Sequence, residues 1–207
     1  YNQALEQEQQ FALPGEAHRA RLELSDIYRR QGETERYEEV LLKIVAEDPL
    51  FSEPAEATTR DQMLEVLLSD GLDRLLVLYR LNDLFSTEAH QRLGEHYLNQ
   101  GDDSAIIHSM FGVVKILSEA IDFYRLRYFD YEFSGLVEFQ NRLPGASPIS
   151  RYIRDARLYE TLYQLGISIA RFRPESPAAE EIMTSLVSLE EHAGPWAGRA
   201  RSFLGES

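Results

Sequence analysis

The side chains in this chain that could ligate a metal or shuttle a proton are five histidines, His18, His90, His96, His108 and His192. A helical zinc site needs two of them on successive turns, commonly with a Glu between. That spacing is missing, and His90 and His96, six residues apart, fall on different helix faces. Asp102-Asp103 could open a calcium loop, but no acidic residue continues the alternating pattern that such a loop requires. A capped turn accounts for the pair. With no cysteine in the chain, disulfides, thiolate metal sites and cysteine nucleophiles drop out. Serine nucleophile elbows, P-loops and dinucleotide fingerprints are missing too. A non-enzyme is expected, with no catalytic residue, no metal ligand and no cofactor.

Recognition chemistry is better represented. Phe123, Tyr124, Tyr128, Phe129, Tyr131, Phe133 and Phe139 crowd into one short stretch. On a continuous helix these rings spread around most of the circumference, so they cannot all enter one core. Either the helix is sandwiched between neighbours, or some of the rings rim a groove for a peptide or small ligand.

Charge narrows the partners. The 207 residues carry a formal net charge of −14, which argues against nucleic acid, whose phosphates call for clustered Lys and Arg. The same sign disfavours docking on anionic lipid. Basic or neutral partners are expected. No run approaches the roughly 18–20 apolar residues that span a bilayer, so no direct membrane insertion is expected. The first residue is Tyr1 and not Met, which fits a processed bacterial protein trimmed of a signal or lipid anchor. A periplasmic or cell-envelope, lipoprotein-like location is the resulting expectation, with the cytoplasm as the alternative.

The elements that must position these residues read as helices, because apolar residues recur at three- and four-residue steps and alternating strand patterns are nearly missing. Residues 1–12 resemble the end of a helix, broken at Pro14-Gly15. Helices are expected over 16–31, closed by Gly32, and over 35–46, stopped at Asp48-Pro49. Pro54 opens a pair over 55–69 and 72–85, turning at Asp70-Gly71. Thr87 is a plausible cap for 88–100. Gly101 then turns the chain, and Asp103 or Ser104 caps a helix running to Leu117. One long helix is expected over 118–143, closed by the Pro144–Pro148 loop, and another over 149–172. Helices over 178–192 and 196–204 complete about eleven, in a single all-α domain over 1–207.

One phrase occurs twice: Leu24-Ser25-x-x-Tyr28-x-x-x-Gly32 and Leu93-Gly94-x-x-Tyr97-x-x-x-Gly101. Recurrence of a helical segment with its own stop signal points to stacked helical hairpins. These units resemble tetratricopeptide repeats (TPR). Leu24, Ser25, Tyr28 and Gly32 carry the match in the best unit, and Pro49 stands where that family places its closing proline. A unit around Met63, Leu64, Leu67 and Gly71 keeps the shape without the small residue or the aromatic. The small residue lets the two helices approach closely, while the Tyr fills the groove beside them. The sequence departs from the family at Tyr37, Leu76 and Ile106, where the second helices usually hold alanine. Arg21 and His90 stand in place of the family's Trp. Residues 17–118 match best, 119–194 are divergent helical hairpins, and 195–207, opening on Pro195-Trp196, read as a capping helix.

The resemblance implies a right-handed superhelix of antiparallel hairpins whose inner face binds a protein or peptide. On the matching units that face would hold Arg19, Asp26, Arg29, Arg30, Gln91, Glu95, Leu98 and Asn99. Tyr131 to Gly135 repeats the Tyr-to-Gly spacing, which makes the aromatic helix a candidate fourth unit. Asp122, Arg125, Phe129, Glu132 and Phe133 would then face inward. The expected function is a non-enzymatic scaffold gripping a protein segment in its concave groove. The alternative is a transport-associated protein with a ligand pocket around helix 119–142. The sequence leaves the partner's identity and the oligomeric state open.

Overall fold

A computed structural model describes residues 14–53, 56–81, 85–145 and 147–206. Residues 1–12, expected to end a helix, lie outside them. Among the described residues there are twelve helices and no strand. They are α1 (Pro14–Gln31), α2 (Thr34–Val45), α3 (Pro49–Ser52), α4 (Ala57–Leu78), α5 (Thr87–Gln100) and α6 (Ser104–Arg127). The rest are α7 (Leu136–Arg142), α8 (Pro148–Asp155), α9 (Leu158–Phe172), α10 (Ala178–Ser188), α11 (Glu190–Ala193) and α12 (Pro195–Leu204).

Three hairpins form a stack. α1 pairs with α2, α5 with α6 and α9 with α10; α2 packs directly on α5, and α6 on α9. Gly101 ends α5 in the left-handed region at φ 78 and ψ 30, which a residue without a Cβ adopts at no steric cost. At its second occurrence the repeated phrase marks where the helices of a hairpin close on each other. A Cβ built on Gly94 would fall 2.5 Å from the Ser109 Oγ and 3.1 Å from its backbone nitrogen, so α5 meets α6 almost backbone to backbone there. In the third hairpin Leu165-Gly166 restates the phrase, with Ile169 and Arg173 in the Tyr and Gly places, and Gly166 lies under Met183 of α10. Those two substitutions hide the third copy in the sequence.

The unit expected over 55–85 does not take a place in the stack. α4 does bend at Gly71 (φ 84, ψ 175), where the turn is expected, but helix ends at Leu78 and not at 85. α4 packs against α10 and α6, and the Ser176 hydroxyl donates to the Leu68 carbonyl at 2.6 Å. A buried polar knot fastens the two ends of this insertion. The Asp48 carboxylate accepts from the Leu50 backbone N–H at 3.1 Å and the Ser86 hydroxyl at 2.7 Å, and pairs with Lys115 of α6 at 2.6 Å. All of Asp48, Ser86 and Lys115 are buried. Asp48 therefore caps α3 and holds the entry to α5 with one carboxylate. Ser86, and not Thr87, sits at the N-cap of α5, and its side chain caps nothing.

Three further boundaries move. α6 runs through the expected break at Leu117 to Arg127, and residues 128–135 then carry no helix before α7 begins. Asp103 stands at the N-cap of α6, as expected, but its side chain makes no capping bond; the Asp102 carboxylate before it accepts from the Ser104 N–H at 2.8 Å instead. The helix expected over 149–172 divides at Arg157, the one non-glycine residue with positive φ (59) among those described. Gln91 of α5 takes the Ala156 carbonyl at this break at 2.8 Å, replacing a bond that a continuous helix would make. The stretch expected over 178–192 likewise divides into α10 and α11. α12 closes on α10 as expected of a cap.

The core is in two parts. One lies between the first hairpin and α5, around Leu41, Ile44, Ala89 and Leu93. The larger is centred on α6, α9 and α10 and takes in Met63, Leu67 and Leu75 of α4. α6 is long and apolar enough to cross a membrane, but 83% of that apolar window is buried inside the protein.

Candidate functional site

The first expected contact surface is only partly assembled. Arg29, Glu95 and Asn99 meet at a polar cleft of about 210 Å³, with Gly32, Thr34, Tyr37 and His96 completing it. Arg19 and Arg30 are exposed on α1, Arg19 in an ion pair with Glu23 at 3.5 Å. The others serve the fold. Arg92 reaches from α5 to Asp26 at 3.0 Å and to the Leu22 carbonyl at 3.1 Å, stapling the first hairpin to the second. Gln91 is buried and spends its amide on Ala156 and the Thr161 hydroxyl. Leu98 packs into the first core, and its carbonyl accepts from Arg171 of α9 at 3.0 Å.

The aromatic stretch is not one helix, so the expected inward face of Asp122, Arg125, Phe129, Glu132 and Phe133 does not form. Asp122 and Arg125 lie on α6, where Asp122 pairs with Arg80 at 3.5 Å and the Arg125 Nε donates to the Tyr131 carbonyl at 3.0 Å. Phe129, Glu132 and Phe133 lie in the irregular stretch behind it. The cause is a cap from far away: the Asp73 carboxylate of α4 accepts from the Leu136 N–H at 2.8 Å, fixing the start of α7 there. Tyr131 to Gly135 is thus an extended connection and no fourth unit.

The rings divide between core and surface. Tyr124, Tyr131, Phe133 and Phe139 are buried and pack edge to face, with Tyr124 and Tyr131 centroids 4.8 Å apart and Tyr124 and Phe139 5.7 Å apart. By contrast Phe123, Leu126, Tyr128 and Phe129 are 49%, 70%, 48% and 85% exposed. Beside them opens a cleft of about 380 Å³. Its walls include Phe123 and Tyr124 of α6, Tyr128 just past its end, and Leu143, Pro144, Pro148 and Tyr152 from the α7–α8 segment. The Tyr152 hydroxyl is turned to the Glu119 carboxylate; burial and that bond push its pKa well above the usual tyrosine range. Among the described residues that line the cleft, Arg127 is the one charged side chain.

The rings on this side of the cleft are legible in the sequence, but the opposite wall is not. The Pro144–Pro148 cluster reads only as a loop, and nothing local says that its prolines face Tyr128. Leu126 escaped because it is no aromatic. The histidines also hold a pairing that spacing hides: His90 Nδ1 and His108 Nδ1 stand 3.0 Å apart, buried between α5 and α6. Among the described residues no three His, Asp or Glu side chains gather in a way that could hold a metal. Rings, prolines and one guanidinium equip the cleft to bind an apolar group.

No family model, curated protein or solved structure matches the chain.

Proposed function

We propose that the protein is a non-enzymatic scaffold of TPR-like helical hairpins that docks a segment of a partner protein on the aromatic end of α6. The carrying observation is the exposure of Phe123, Leu126, Tyr128 and Phe129 together, within seven residues and beside an apolar cleft. Monomeric proteins seldom leave such contiguous apolar surface unless something covers it. The repeated close approach of small residues, at Gly94 on Ser109 and at Gly166 beneath Met183, supports the hairpin reading. A second site has its own support, since Arg29, Glu95 and Asn99 of the expected inner surface do share a polar cleft.

Peptides selected on the intact chain from a random displayed library discriminate the two. Binding is expected to weaken at least tenfold in Leu126→Ser/Phe129→Ser and to persist in Arg29→Ala/Asn99→Ala. The reverse pattern moves docking to the polar cleft. Stabilisation by small apolar ligands with no peptide selected would favour the transport alternative. Both aromatic-end positions are exposed, so melting temperatures should stay near wild type. Phe133 is unsuitable for this purpose, being buried.

A further inference from the structure

Whole-chain charge predicts basic or neutral partners, yet the aromatic end is locally different. Between residues 118 and 157 arginines and carboxylates balance one for one, although the chain as a whole stands at −14. No carboxylate lines the cleft among the described residues, while Arg127 does. Arg127 sits in the last turn of α6 and makes no ion pair with a described residue; its guanidinium lies 6.0 Å from the Tyr128 ring centroid. Arg125 is engaged with the Tyr131 carbonyl, Arg142 with Glu138 and Arg157 with Glu160, while Arg151, exposed on α8, does not line the cleft. An unpaired guanidinium at the lip of an aromatic cleft is a seat for a carboxylate, because planar donors and excluded water strengthen that contact.

Resting on the docking reading above, we infer that the segment this surface takes is apolar with an acidic residue beside its apolar side chains, the carboxylate meeting Arg127. A protein segment fits better than a small amphiphile, because the apolar surface does not end at the cleft. Leu126 and Phe129, the two most exposed of the four, lie outside its lining. A ligand of cleft size would leave them in water. A segment that inserts one large side chain and lays its neighbours over Leu126 and Phe129 covers both. Acidic flanks also explain how a strongly anionic protein avoids capturing every apolar segment: its net charge opposes such a partner, and at this cleft the Arg127 seat offsets that repulsion.

The test uses the full chain and fluorescein-labelled dodecapeptides with a Phe-Leu-Trp centre flanked by Glu, by Gln or by Lys, read by anisotropy at low and moderate salt. The Glu-flanked peptide is expected to bind at least tenfold tighter than the Gln-flanked one, with the gap closing as salt rises. Arg127→Gln should erase that preference, and Arg127→Glu should transfer it to the Lys-flanked peptide. Equal binding of all three peptides that is lost in Leu126→Ser/Phe129→Ser would overturn the acidic assignment and leave the docking surface standing. If no peptide binds, the docking reading falls, and the proposal with it. In that event saturable binding of dodecanoate would give the cleft to a small amphiphile. Self-association lost in Leu126→Ser/Phe129→Ser would instead give the surface to a second copy of the chain.

Discussion

His90 and His108 can share a hydrogen bond only while at least one ring nitrogen of the pair is unprotonated. Burial holds His108 down to about 4, and it holds His90 well below the ordinary histidine value, with the charges of His108 and Lys115 adding to the effect. The unfolded chain takes up these protons near 6.5 while the folded one refuses them, so the contribution is complete above about 6.5 and is lost as pH falls toward 4. For His108 alone the swing is about 3 kcal/mol. Urea midpoints measured at pH 7.5, 6 and 5 should fall steadily in the wild type and less steeply in His108→Gln; parallel profiles would contradict this account. At this scale the sequence was readable where a residue needs only solvent. Arg19 and Arg30, expected on a partner-binding face because packing does not use them, are exposed on α1. It was opaque where the partner is remote: Gln91 looks like any polar helix residue until Thr161, 70 positions away, takes its amide.

Helices rest on the repeated phrase, and its small residue is not equally demanding in each copy. At Gly94 a Cβ would meet the Ser109 Oγ at 2.5 Å with the Ser109 backbone nitrogen behind it at 3.1 Å, whereas at Gly166 the obstacle is the terminal methyl of Met183 at 2.6 Å. Backbone cannot step aside, but a thioether can. Gly94→Ala should therefore cost about 1–3 kcal/mol from overpacking. Gly166→Ala should cost under about 1 kcal/mol, since alanine's better helix propensity offsets Met183 repacking. Denaturant titrations of the two variants side by side check the contrast, and equal costs would mean that α5 and α6 are not in backbone contact. Periodicity and turn residues were enough to find α1, α2, α5 and α12. They failed at α7 and at the α8–α9 break, because Asp73 and Gln91 impose those ends from helices distant in the sequence. Local pattern carries no trace of a cap supplied by another element.

As a whole the molecule departs from an open row of repeats, in which each unit touches only its neighbours and can unravel alone. α4 leaves the first hairpin and packs on α10 of the third, burying Met63, Leu67 and Leu75 there and along α6. Removing that contact should loosen the far end as much as α4 itself. Leu67→Ala, at a fully buried position, is expected to lose about 2–5 kcal/mol. Hydrogen exchange followed by mass spectrometry should show α4, α6 and α10 losing protection together. Faster exchange confined to α4 would show instead that the hairpins are independent. The same strap sets a problem of timing at the ribosome. Leu68 must wait for Ser176, 108 residues later in the chain, and at about 5–20 residues per second that is roughly 5–20 s of synthesis. Throughout that interval the leucines of α4 can reach α6 but not α10, so the nascent chain should recruit a holdase at this segment long before the third hairpin is made.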